Sequence, residues 1–224
     1  MKKGKLLLSA LVKFSLGVLL VGLLLFLPAG TINYPEAWLF MALLFIPMFI
    51  AGIFMLIKDP ERLTKRLDGK EKLREQNTVI RMSALMFIVG FILAGLDKRF
   101  SWLPMPMWLC WLGAALFILS YLLYAEVLRE NKWLSRKIEV QDGQKVIDSG
   151  LYGIVRHPMY MATLLLFCSM PLILGSLISF AVFLFYPAII IKRLKSEEEL
   201  LAKELEGYAE YMKKVRYRLI PYIW

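Results

Sequence analysis

The 34 residues from Pro158 to Ile191, PMYMATLLLFCSMPLILGSLISFAVFLFYPAIII, contain no charged side chain. A helix needs about 20 apolar residues to cross the hydrocarbon core of a bilayer. The run is therefore too long for one span and too short for two full ones. Leu174-Gly175-Ser176 supplies a turn near its middle, so the stretch reads as a tight helical hairpin in a membrane.

The rest of the chain agrees with that reading. Its 224 residues are 59% hydrophobic, with a mean hydropathy of +0.60, which is more apolar than ordinary soluble domains. Four further spans are predicted, at about Leu6–Leu27, Ala37–Ile57, Ile80–Leu96 and Leu103–Ala125. The basic start MKKGK followed by a long apolar run reads as a retained helix rather than a cleaved signal, with Lys13 snorkelling toward the basic side. A short surface helix is expected in the charged segment after span two, and an irregular loop from Glu126 to His157. DKRFSW, from Asp97 to Trp102, reads as a loop. The expected fold is all-α: a polytopic transmembrane helical bundle of about six spans, including the C-terminal hairpin, with a cytoplasmic C-terminal helix. Residues 1–130 are expected to form the four N-terminal spans, and residues 131–224 the hairpin and tail, which the family resemblance described below implies to be the catalytic region.

The net charge of +10 does not point to nucleic acid. Of the 28 Lys and Arg residues, 25 fall in the N-terminal segment, the loops after spans two and four, and the tail. This asymmetry places both termini in the cytoplasm and suits an integral protein of a prokaryotic inner membrane. Cys110 and Cys168 both lie in apolar runs, so neither a disulfide framework nor a cysteine metal site is expected. A single histidine excludes a histidine-cluster metal site.

That histidine, His157, stands in GLYGIVRHPMY, Gly150–Tyr160, directly before the hairpin. Pro158 disfavours the helical conformation at His157 and suits the first turn of a helix. His157 is thus expected to cap the helix, with Tyr160 in its first turn and free N–H groups that favour an anion. A blander reading makes Arg156, His157 and Tyr160 membrane-interface residues. At the far end of the hairpin, Arg193 and Glu197 share a helix face; the bland reading there is an i,i+4 ion pair. Glu198 and Glu199 read as solvated charge. A hairpin brings its ends together, so these two polar segments should meet.

GLYGIVRHPMY, the apolar hairpin, RLKSEEELL and GYAEYMKKVRYRLIP, in that order, resemble the isoprenylcysteine carboxyl methyltransferase family and the wider group with phospholipid methyltransferases. The likeness covers about Asn131 to Trp224. It implies an S-adenosylmethionine-dependent methyltransferase acting on a lipidic or prenylated substrate at the cytoplasmic face, carboxylate O-methylation being favoured. Carried over by position, Gln141, Gln144, Lys145, Val146, Ile147, Tyr152, His157, Pro158, Met159 and Tyr160 would line the cofactor. Glu197 would hold its amino group, Arg193 would face the substrate, and Arg193 and Tyr160 would be the catalytic residues. The loop between Gln141 and Gln144 is shorter than in eukaryotic members, and the spacing of Gly207, Tyr208 and Tyr211 differs. An amine substrate would require a base, for which Glu198 or His157 would be candidates. The partners expected are the lipid bilayer and that substrate, without metal or nucleic acid. Two rivals remain: an NADPH-dependent membrane reductase of the steroid 5α-reductase type, and a non-catalytic membrane protein.

Overall fold

A computed structural model describes residues 3–67, 74–134 and 139–224. Its elements are the helices α1 (Lys3–Ala29), α2 (Pro35–Lys58), α3 (Pro60–Leu67), α4 (Arg74–Phe100) and α5 (Met107–Glu130), a 3-10 turn (Gly150–Gly153), then α6 (Pro158–Ile173), α7 (Leu177–Phe183), α8 (Tyr186–Glu204) and α9 (Tyr208–Lys214). The described residues contain no strand, and five helical segments are long and apolar enough to cross a membrane. The all-helical, polytopic expectation holds.

The spans divide into five long ones and one shorter hairpin arm. Four of the five are α1, α2, α4 and α5, and the fifth is α7 running into α8, Leu177–Glu204. The first arm of the hairpin, α6, has only 16 residues and rises about 24 Å, less than a full hydrocarbon thickness. The second arm bends at Leu184–Phe185. Pro187 lies in the first turn of α8 and cannot donate to the carbonyl four residues back, which separates the two pieces. The charged tail helix is not a separate element either, because α8 runs unbroken from the membrane segment through Glu204. DKRF is helical, the last turn of α4, and not loop. Lys13 does not simply reach for the interface: its Nζ donates to the carbonyl of Leu67 at 2.6 Å, at the end of α3.

Apolar faces alone do not fix helix positions in lipid, since the tails are as apolar as leucine; close backbone approach does. α5 packs along α6, α1 along α4, and α4 against α7. At each contact a glycine makes the room. A Cβ on Gly113 would stand 2.7 Å from Leu172 Cβ and 2.9 Å from Ile173 N, and one on Gly95 would stand 2.5 Å from the Leu25 carbonyl. Phe183, fully buried, lies over Gly90. The hairpin turn needs Gly175, at φ +74°, where a side chain would be strained.

The tip of that hairpin is tied to the turns beside it. Tyr34, at the start of α2, donates from Oη to the Leu174 carbonyl at 2.6 Å. The buried Asp97 accepts from Ser176 Oγ at 2.6 Å and from Leu103 N at 3.2 Å. Three connections, α1–α2, α4–α5 and α6–α7, thus meet at one end of the bundle.

Gly113→Leu should lower stability by about 1–3 kcal/mol by overpacking the α5–α6 contact. Gly52→Ala, where nothing lies within 4 Å of the added Cβ, should leave it unchanged or raised. Thermal unfolding of the detergent-solubilised variants checks both.

Candidate active site

The site lies at the other end of the hairpin. Pro158 opens α6 with His157 as its N-cap residue, but the His157 ring makes no capping hydrogen bond. It turns instead to Glu198 on α8: His157 Nε2 lies 3.2 Å from Glu198 Oε1. Arg156 Nε donates to the same oxygen at 2.6 Å, and Arg218 Nε donates to Oε2 at 2.9 Å. Glu198 is 6% exposed. Its reading as solvated charge is therefore corrected, and so is its candidacy as a base, since both oxygens are engaged by cationic or imidazole groups. A helix-phase signal for this was present: Ile190, Leu194, Glu198 and Leu205 follow one buried face.

The segment after α9 completes the arrangement. Its Tyr217 and Arg218 carbonyls accept from the backbone N–H groups of Arg156 and His157, both at 2.9 Å. Arg156 Nη1 donates to the carbonyls of Val215 and Arg216. The start of α6, the middle of α8 and the tail are thereby locked together.

Beside this lock, Tyr160 joins Arg193 to Glu197. Its phenol accepts from Arg193 Nε at 3.1 Å and donates to Glu197 Oε2 in a short hydrogen bond. The ring stacks on His157, with centroids 5.6 Å apart. The two ends of the hairpin therefore do meet.

They border an open-mouthed cleft. Of the residues singled out from the sequence, Gln144, Lys145, Val146, Ile147, Tyr152, His157, Met159, Tyr160, Arg193 and Glu197 line it. Gln141 and Pro158 do not. Gln141 is a brace for the loop: its Nε2 donates to the Trp133 carbonyl at 2.6 Å, and its N–H to Gln144 Oε1 at 2.9 Å. Pro158 is buried in the first turn of α6.

Sequence reasoning missed Asn131, Trp133, Glu139, Leu201, Tyr208 and Tyr211 on the cleft wall, and Arg156, read only as an interface residue, belongs there too. Tyr208 and Tyr211 stand three apart on α9, which puts both on one face. Tyr211 Oη donates to the Tyr152 carbonyl at 2.7 Å, and Tyr152 Oη accepts from Asn131 Nδ2 at 2.9 Å. Burial pushes the Tyr152 phenol up to about 12, so it stays neutral at physiological pH. Tyr152 is presented by the 3-10 turn, which Glu130 holds: both carboxylate oxygens accept from Leu151 N. Gly150, at φ +53°, is required there, because a Cβ would fall 1.5 Å from Glu130 Oε1.

Residues 108–207 match the family model described as phospholipid methyltransferase. The matched segment runs from α5 to the N-cap residue of α9 and is similar to that family. The fold is similar to that of a eukaryotic intramembrane Ras methyltransferase, isoprenylcysteine carboxyl methyltransferase, with a TM-score of 0.57 over 91% of this chain and 74% of that one, at 18% identity. The resemblance drawn from the hairpin motifs therefore holds at the level of family pattern and fold. Among curated proteins, the chain is 34% identical over 90 residues to the Delta(14)-sterol reductase TM7SF2 of Mus musculus, and 30% over 93 residues to a Delta(14)-sterol reductase of Methylotuvimicrobium alcaliphilum. These matches cover 39% and 40% of this chain and 22% of either reductase, so the chain spans about a fifth of the length of the curated relatives it matches. The apolar helices and the fold likeness support an integral membrane protein, and among the described residues no cluster suits a metal ion.

Glu198→Gln should cost about 3–5 kcal/mol, since it leaves buried cationic partners uncompensated. Arg218→Gln should cost distinctly less, because that side chain is 34% exposed and solvent screens its pair. Denaturant unfolding of both variants measures the order.

Proposed function

We propose that this protein is a membrane methyltransferase that uses S-adenosylmethionine and methylates a carboxylate on a lipidic or prenylated substrate. The observation that carries the reading is Glu197, a carboxylate positioned by Tyr160 on the wall of a cleft, with Arg193 on the other side of the same phenol. Residues 131–224 are proposed as the catalytic region.

The residues present fit the cofactor. Its ammonium suits Glu197. Its purine suits the apolar and aromatic wall of Trp133, Val146, Ile147, Tyr152 and Leu201. Tyr208 adds a buried aromatic ring to that wall. When bound, S-adenosylmethionine supplies a methyl group carried on a positively charged sulfur.

The chain's own work is alignment and exclusion of water. Arg193 orients the acceptor carboxylate by a charge-assisted contact. Tyr160 fixes the separation of Arg193 and Glu197, and with it the relation of acceptor to donor. A carboxylate is already a nucleophile and loses no proton, so no general base is needed. An amine acceptor would need one, and Glu198 is engaged on both oxygens. The acceptor's apolar tail reaches the cleft sideways, from lipid.

The reductase reading is kept because the curated relatives matched are sterol reductases. It predicts NADPH binding at the same cleft. S-adenosylmethionine is favoured because the methyltransferase likeness in fold extends over 91% of the chain, against 39% for the reductase match.

Binding of S-adenosylmethionine and NADPH to the detergent-purified protein should separate the two. S-adenosylmethionine is expected to bind saturably, and Glu197→Ala to weaken it at least tenfold. Arg193→Ala should leave that binding near the parent value and abolish methyl transfer to a prenylcysteine acceptor. NADPH binding without S-adenosylmethionine binding would move the protein to the reductase class.

A further inference from the structure

Three exposed apolar side chains fall together in the segment after α9: Ile220, Tyr222 and Ile223, the last two 84% and 76% exposed. They sit on a closed turn. The main-chain oxygen of Trp224 accepts from the N–H groups of Leu219 and Ile220 at 2.9 and 3.0 Å, and the Ile220 carbonyl accepts from those of Ile223 and Trp224 at 3.1 Å. Tyr222 adopts φ +64°, a left-handed conformation that is costly for a residue with a side chain. The turn thus tolerates backbone strain at the residue whose aromatic ring it exposes most.

The place of the turn on the bundle indicates what covers it. Leu219 is buried in the apolar cluster that holds Tyr160, Ile190 and Leu194, and Trp224 packs against that cluster. The turn therefore lies where α6 begins and where the apolar half of α8 gives way, after Ile191, to its charged half. A helix that changes from apolar to charged marks the edge of the hydrocarbon layer. Two exposed cations, Lys213 and Arg216, precede the turn. An aromatic ring and branched aliphatic side chains beside exposed cations suit the boundary between headgroups and acyl chains.

We propose that the turn formed by residues 219–224 is an interfacial anchor. Ile220, Tyr222 and Ile223 seat among the headgroups and upper acyl chains of the leaflet on the cleft's side, and Lys213 and Arg216 face the phosphates of its anionic lipids. The anchor is independent of which cofactor the cleft takes. Its consequence for the site is positional. The residues directly before the turn close the base of the hairpin: the Tyr217 and Arg218 carbonyls accept from the N–H groups of Arg156 and His157, and Arg218 Nε donates to Glu198. The Arg218 guanidinium also lies 5.3 Å from the centre of the Trp224 ring. Contact with the bilayer at the turn therefore holds the tail against the start of α6.

The test measures depth in a bilayer. Full-length protein carrying a nitroxide at Tyr222→Cys or at Ile223→Cys would be reconstituted into vesicles of phosphatidylethanolamine and phosphatidylglycerol in equal parts. The parent protein, labelled in the same way, supplies the background from Cys110 and Cys168. Collisions of the nitroxide with oxygen, which concentrates in lipid, are compared with its collisions with a water-soluble nickel chelate. Glu210→Cys, at an exposed position on α9, is the aqueous reference. The oxygen-to-nickel ratio at both turn positions should exceed that at the reference by about threefold or more, as for side chains buried at the headgroup–acyl boundary. A ratio equal to that of the reference would place the turn in water and overturn the anchor. Exclusion of both reagents together would mean that protein covers the turn, a second copy of this chain included, and would overturn it equally.

Discussion

Glu198 is the constraint on which the site depends. One buried carboxylate receives Arg156 and His157 from the residues before α6 and Arg218 from the tail. Burying a charge is expensive unless it is paired and its oxygens are hydrogen-bonded. This one is compensated only when three chain segments arrive together, so the carboxylate acts as an assembly condition. His157 then has little rotational freedom, its stacked neighbour Tyr160 inherits the order, and Tyr160 in turn sets Arg193 and Glu197.

The second constraint is at the opposite end. Tyr34 and Asp97 hold the hairpin tip against two other connections, while glycines let α5 and α4 approach its arms. An element pinned at its tip and closed at its base by the Glu198 contacts is a firm support for a pocket. The irregular loop from Val140 to Ser149 lies outside that frame and is braced locally by Gln141 and Gln144.

Much of this was legible in the sequence because the membrane allows few solutions. Uncharged runs must be helices, and a 34-residue run with a glycine turn must be a hairpin, which makes neighbours of Tyr160 and Glu197. What escaped was of two kinds. The backbone hydrogen bonds from Arg156 and His157 to the tail use groups that every residue carries, so no side-chain pattern announces them. The three consecutive glutamates look alike as letters, and only their phase on α8 separates buried Glu198 from Glu199. Tyr208 and Tyr211 were hidden because α9 is short and reaches the cleft by a bend at Gly207, at φ +81°.

The shortness of α6 has a consequence for the bilayer itself. Its far end is fixed level with two other turns, and 16 residues do not reach across about 30 Å of hydrocarbon. In a bilayer of that thickness, lipid beside so short an arm must thin to meet its polar end at His157 and Tyr160. A dimple of that kind lowers the headgroup plane toward the cleft.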